Sequence, residues 1–93
     1  MIGSFACAET ERIFGGEASR KLPPQIQEAA RRKLRIIAAA MRLDDLRVPP
    51  GNRLEALKGS RKGWHSIRIN DQWRICFRWE GEKAIAVEIV DYH

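Results

Sequence analysis

An α+β fold is predicted, with an N-terminal strand and two helices packed on one face of a twisted, mainly antiparallel β-sheet. Three observations predict it. Between Pro24 and Met41 the apolar residues recur at helical spacing. After Pro49 the period switches to two, in "WHSIRI" and "WRICFRW". Short polar turns, Asn70-Asp71 and "EGEK", separate the alternating runs, as antiparallel hairpins require. The 93 residues fit a single domain over 1–93 and leave no room for a separate cofactor domain.

The elements follow in order. "MIGSF" is a short apolar start that reads as an edge strand. "ACAETERIF" has helix-forming composition, with Ala6, Thr10, Ile13 and Phe14 near one side, and Gly15 and Gly16 end it. Pro23 and Pro24 suit a first helical turn, where a missing N–H costs nothing. The helix they open places Ile26, Ala30, Leu34, Ile37 and Met41 in one arc, widened by Ala29, Ile36 and Ala40. Glu28, Arg31, Arg32 and Arg35 lie opposite. Lys33 falls inside the apolar arc, so its stem should lie along the core while its ammonium reaches water. "RLDDLRVPPGN" is a loop.

The remainder is β. "RLEAL" is a possible short strand and "KGSRKG" a basic loop bounded by glycines. In "WHSIRI", Trp64, Ser66 and Arg68 share one face, and His65, Ile67 and Ile69 the other. In the next strand Trp73, Ile75, Phe77 and Trp79 point to the helices, and Arg74, Cys76 and Arg78 away. In "AIAVEIV", Ile85, Val87 and Ile89 face the helices, leaving Glu88 and Tyr92 on the second face. His65 reads as a buried, hydrogen-bonded histidine, and the tryptophans as core and rim. Nothing in the chain is left over to cover the second face.

Charge gives the first functional signal. The net charge is +5, and from Arg53 to Trp79 the basic residues are Arg53, Lys58, Arg61, Lys62, Arg68, Arg74 and Arg78, opposed only by Glu55 and Asp71. An arginine-lined sheet face can hold a phosphate backbone. No apolar run approaches the roughly 20 residues of a membrane span, and no basic region followed by a long apolar stretch opens the chain. A cytoplasmic protein with no membrane partner is expected. Cys7 and Cys76 read as free thiols in a reducing compartment. With His65 and His93 they form no ligand-spaced cluster, so neither metal nor cofactor is expected.

The second signal is the end of the chain, "VEIVDYH", an acid, a phenol and an imidazole directly after a core strand. One reaction on a polyanion needs no metal: attack of an RNA 2′-hydroxyl on the adjacent phosphate. It requires a base, an acid and cations around the phosphorane. Tyr92 and His93 can carry the protons. Histidine titrates near neutrality, and tyrosine donates unless nearby cations lower its pKa. Lys58, Arg74 and Arg68 can supply the cations. Asp91 can orient His93 or hold an arginine, and Glu88 can pair with Arg74.

The stretch "GNRLEALKGSRKGWHSIRINDQWRICFRW", followed by "VEIVDYH", resembles the HigB-like toxins of the RelE superfamily, the plasmid maintenance system killer proteins. The resemblance covers the chain and is strongest from Pro49 onward. It implies a RelE-like fold and a toxin that cleaves mRNA on the ribosome without a metal. It also implies a cognate helix-turn-helix, HigA-like antitoxin, with operator DNA reached only through that antitoxin. Its site residues correspond to Lys58 of "LKG", Arg74 of "WRI", and Asp91, Tyr92 and His93. Arg53, Arg61, Lys62, Arg68 and Arg78 would contact RNA or the ribosome. Where Glu55 stands, some relatives have a histidine. Two other functions fit the residues alone: a non-catalytic RNA- or ribosome-binding regulator, and a subunit whose basic surface binds an acidic protein.

Overall fold

The computed structural model describes residues 1–92. Helix α1 (Ala8–Phe14) and helix α2 (Pro24–Ala39) precede four strands: β1 (Glu55–Ala56), β2 (Trp64–Arg68), β3 (Trp73–Glu80) and β4 (Lys83–Asp91). The strands form one antiparallel sheet in the order β1-β2-β3-β4. Both helices pack on one face. Their buried residues Ile13, Ile26, Ala30, Leu34 and Ile37 meet Ile67, Ile75, Phe77, Val87 and Ile89 of the sheet. Each buried Ile, Leu, Val or Phe side chain among them contributes about 1.5–3 kcal/mol by leaving water.

Local chemistry explains the ends. The backbone N–H of Gly15 donates to Glu11 O and that of Gly16 to Ile13 O, and Gly16 takes a positive φ of 93°, so α1 stops where the two glycines stand. Thr10 is fully buried, and its hydroxyl accepts the Ile89 N–H at 3.0 Å, fastening α1 to β4. Helix α2 opens with proline in its first turn and ends at Ala39, because Ala40 is already extended. Met41 therefore lies beyond the helix and is 49 % exposed, not in the core arc.

Several expectations need correction. The opening residues "MIGSF" form no continuous strand; they touch β4 through two isolated parallel bridges, Ile2 to Ala84 and Phe5 to Val87. The loop 42–53 contains two 3₁₀ turns, Leu43–Arg47 and Pro50–Asn52, and Leu46 of the first enters the core. The β2–β3 turn is not closed by Asn70 and Asp71 alone: Asn70 Oδ1 accepts the N–H groups of Gln72 and Trp73, an Asx turn. Strand β4 runs through Asp91, which pairs with Trp73. Its alternation breaks at Ala86, which has φ 55°, with a register shift against Cys76–Arg78. The bulge puts Ala84 in the core and moves Ile85 out, opposite Arg78. Ile85 then lies so close to Gly3 that a Cβ there would meet Ile85 Cδ1 at 2.6 Å.

Lys33 does not reach water. It is 7 % exposed, and its ammonium donates to Asn52 Oδ1 at 2.5 Å. Burial, with the charges of Arg32 and Arg68, holds its pKa below the usual lysine value. His65 is half-buried and stacks on Phe77, and its buried Nδ1 has no hydrogen-bond partner among the described residues. Burial pushes its pKa down. Trp73 and Trp79 pack against the core as expected, and Trp64 stays at the rim beside arginines.

Candidate active site

The face of the sheet away from the helices is a grid set by strand register. One row across it is Arg68, Arg74 and Val90; the next is Ser66, Cys76 and Glu88; the third is Trp64, Arg78 and Ile85. Alternation along β2 and β3 places these residues on this side. Arg68 and Arg74 stand directly opposite each other, which like charges avoid unless a function or a partner holds them there.

Arg74 is the buried member, 8 % exposed. Its Nε donates to Ser66 Oγ at 2.8 Å, and its Nη2 to Arg53 O at 2.5 Å and Ser66 O at 3.3 Å. These acceptors are neutral. The carboxylate of Glu55, itself exposed, stands 3.9 Å from Nη1, a loose ion pair. Glu55, not Glu88, is thus the acidic neighbour of Arg74. The guanidinium also lies over the Tyr92 ring, 5.8 Å from its centroid. Tyr92 is held by its backbone N–H, which donates to Gln72 O at 2.6 Å, and its side chain stays substantially exposed. Arg53, Glu55, Arg68, Asn70, Asp71, Arg74 and Tyr92 together line an open cleft of about 430 Å³.

The other residues expected at the site are distributed around this cleft. Arg68 lines it, tied to the carboxylate of the exposed Asp71. Arg53 lines it from the loop before β1. Lys58 is exposed at the start of the 3₁₀ turn Gly59–Arg61 and is not part of the cleft wall. Asp91 follows Ile89 at strand spacing, so it sits on the helix side, where Gln72 Nε2 donates to it at 3.1 Å. Tyr92 and Asp91 therefore do not share a face. His93 lies outside the described residues.

The third row differs. Arg61 and Arg78 both approach the Trp64 ring, at 4.9 and 6.0 Å from its centroid, and Arg78 is paired with Glu80 at 2.7 Å. Lys62 is exposed beside them. The second face is not bare: Cys76 is fully buried on it. Burial raises the Cys76 pKa against the pull of Arg61 and Arg74. Both cysteines are free thiols. Among the described residues no group of three or more His, Cys, Asp or Glu is placed to hold a metal ion. No helix among them is long and apolar enough to cross a membrane.

This pairing of a two-helix layer with a cation-bearing antiparallel sheet agrees with a family model. Residues 3–93 match the model described as the RelE-like toxin of the type II toxin–antitoxin system HigB. The chain belongs to the HigB-like toxins. Toxin HigB-1 of Vibrio cholerae is 53 % identical over 60 residues, 64 % of this chain and 63 % of that one. The chain thus spans slightly under two thirds of that relative. Endoribonuclease HigB of Proteus vulgaris is 29 % identical over 93 residues, the full length of both. An uncharacterised protein of Haemophilus influenzae is 35 % identical over 69 residues, 74 % of this chain and 68 % of the other. The α+β, RelE-like fold and the type II toxin identity agree with what the sequence implied.

Sequence reasoning did not assign Ser66, Glu55, Asn70 or Asp71 to this HigB-like cleft. Ser66 is the tether of Arg74, and its small hydroxyl between Trp64 and Arg68 was the available signal. Glu55 brings a carboxylate beside Arg74, foreshadowed by its place two residues after Arg53 on the short strand. Asn70 lines the cleft from the turn, which only the fold could reveal.

Proposed function

We propose that this toxin is an endoribonuclease that cleaves mRNA on the ribosome without a metal ion, with residues 1–93 acting as one toxin domain. The observation that carries the proposal is Arg74: a buried guanidinium, fixed by neutral oxygens and turned to a cleft shared with Arg53, Arg68 and Tyr92. A cation held this way keeps its charge for a ligand and needs no reorganisation when negative charge develops on a phosphorane. The Endoribonuclease HigB name of the Proteus relative supports the same reading.

In the proposed step the RNA 2′-oxygen forms a bond to phosphorus and the bond to the 5′-oxygen breaks. One group takes the 2′-hydroxyl proton and another protonates the leaving oxygen, giving a 2′,3′-cyclic phosphate and a 5′-hydroxyl. Tyr92 and His93 are the proposed proton carriers. The exposed carboxylate of Glu55, beside Arg74, is a further acceptor for the 2′-proton. Arg74 and Arg68 stabilise the phosphorane, while Arg53, Arg61, Lys62 and Arg78 hold the RNA or ribosome. Lys58, outside the cleft wall, would reach the phosphate once RNA is bound. Asp91 supports the end of the strand through Gln72. The proposed setting is the cytoplasm, with a helix-turn-helix, HigA-like antitoxin as partner and operator DNA bound only through it.

The test is growth and RNA. Induced wild-type protein should arrest growth and generate new mRNA 5′ ends on ribosomes; His93→Ala should do neither at matched expression. Arrest by His93→Ala without new RNA ends would replace the enzyme with a non-catalytic binder. Elemental analysis of the purified toxin should find no stoichiometric transition metal.

A further inference from the structure

Arg74 is aimed from behind. The oxygen that receives its Nη2 belongs to Arg53, whose backbone has φ 45° and ψ 58°, the left-handed region that side-chain-bearing residues seldom adopt. The residue before it, Asn52, is fully buried. Its Nδ2 donates to Leu46 O at 3.1 Å and Val48 O at 3.3 Å, and its own N–H donates to Pro49 O at 3.0 Å. Its Oδ1 accepts from Lys33 at 2.5 Å. A continuous run of hydrogen bonds and one peptide unit thus joins α2, on the helix side of the molecule, to the guanidinium on the far face of the sheet. We propose that Lys33 and Asn52 are positioning residues for Arg74, acting by fixing the Arg53 carbonyl; the inference rests on Arg74 serving the cleavage reaction.

Stability alone does not explain the lysine. Position 33 lies within the apolar arc of α2, between Ala30, Leu34 and Ile37. An ammonium there loses water, meets an amide as its acceptor, and is opposed by the charges of Arg32 and Arg68. Burying a charge so is expensive, and an apolar side chain of similar length fills such a site at least as well. Methionine would pack there; it would not hold the Asn52 amide. With Nε and Nη2 of Arg74 spent on Ser66 and Arg53, Nη1 is left toward Glu55 and the cleft. Where it points depends on where the Arg53 carbonyl sits, and errors of about 1 Å in such groups reduce rates on the order of 100-fold.

The experiment compares wild type with Lys33→Met and, as a second pair, Arg53→Gly with Arg53→Ala. Lys33→Met should stay folded, with a Tm equal to or above wild type or lowered by less than about 10 °C. Its kcat for mRNA cleavage on ribosomes should fall about 10- to 100-fold with KM nearly unchanged. The Nε–H resonance of Arg74, assigned by ¹H–¹⁵N NMR of the isolated protein, should shift or broaden. Both Arg53 variants lose the same guanidinium, but glycine adopts the left-handed conformation without penalty. Arg53→Gly should therefore cleave faster than Arg53→Ala and keep the Arg74 resonance closer to wild type. The proposal is overturned if Lys33→Met leaves both kcat and the Arg74 resonance unchanged, if its activity falls only as folded protein is lost, or if Arg53→Gly is no better than Arg53→Ala. A wild-type protein that cleaves no RNA would defeat the functional reading instead, and the Arg74 resonance would still decide the positioning.

Discussion

The two ends of the open sheet face hold arginine in opposite ways. At one end Arg74 is buried and gripped by Ser66 and the Arg53 carbonyl, with the Glu55 carboxylate at 3.9 Å. At the other end, about 13 Å away along β3, Arg78 is exposed and closed onto Glu80 at 2.7 Å. Neutral acceptors fix a guanidinium's direction and leave its charge uncompensated. A carboxylate fixes it and cancels the charge. The comparison teaches that the count of arginines on a face says less about phosphate binding than what each arginine is already bonded to. Seven basic residues between Arg53 and Trp79 look equivalent in the chain; in the structure Arg74 is the one buried and held by neutral oxygens, the feature on which its proposed role rests.

The sharpest way to break this contrast is to remove Arg74. Arg74→Ala should lose about 2–4 kcal/mol of transition-state stabilisation, about 30- to 1,000-fold in kcat, with the far-ultraviolet circular dichroism of a folded protein. An unfolded variant, or one as active as wild type, would end its assignment.

A smaller loss is expected at Tyr92. Phenylalanine keeps a ring under the Arg74 guanidinium and removes only the hydroxyl. If that hydroxyl moves a proton, Tyr92→Phe should slow cleavage about 100-fold while RNA binding is preserved. Unchanged turnover would reduce Tyr92 to a platform for Arg74.

The opposite end can be converted toward the first. Glu80→Gln releases the charge of Arg78, so affinity for single-stranded RNA should rise. The gain should be no more than about fivefold, since exposed ion pairs are worth about 0–1 kcal/mol. The dependence of log affinity on log salt should steepen by about one charge. No change in either measure would mean that Arg78 does not touch RNA.

The smallest effect lies under the sheet, at His65. Burial depresses its folded pKa below the ordinary histidine value, so between the two values the unfolded chain binds more protons. Its stabilising share is therefore whole above about pH 6.5, and is lost as pH falls through the folded pKa. Thermal melts at falling pH should show wild type losing more Tm than His65→Gln over that window. Parallel curves would assign the acid sensitivity elsewhere.

The sequence by itself determined the layers and the faces. Periodicity of 3.6 in Pro24–Ala39 and of 2 in β2 and β3 is a property of the local backbone, so it was legible without any neighbour. It placed Arg68, Arg74 and Arg78 on one side and Ile67, Ile75 and Phe77 on the other. Tertiary structure decided everything that depends on which distant groups meet. The bulge at Ala86 moved Ile85 out of the core because β4 must track both β3 and the N-terminal residues. Asn52, brought under α2 by the 3₁₀ turns, captured the ammonium of Lys33 before it reached water. Arg74 became buried because the Arg53 carbonyl folds back onto it. Asp91 parted from Tyr92 because the strand continues one residue further than its apolar run. Alternation fixes the side from which a side chain leaves the backbone; only long-range contacts fix what it meets there, and for a charged group the partner decides whether the charge is spent or kept.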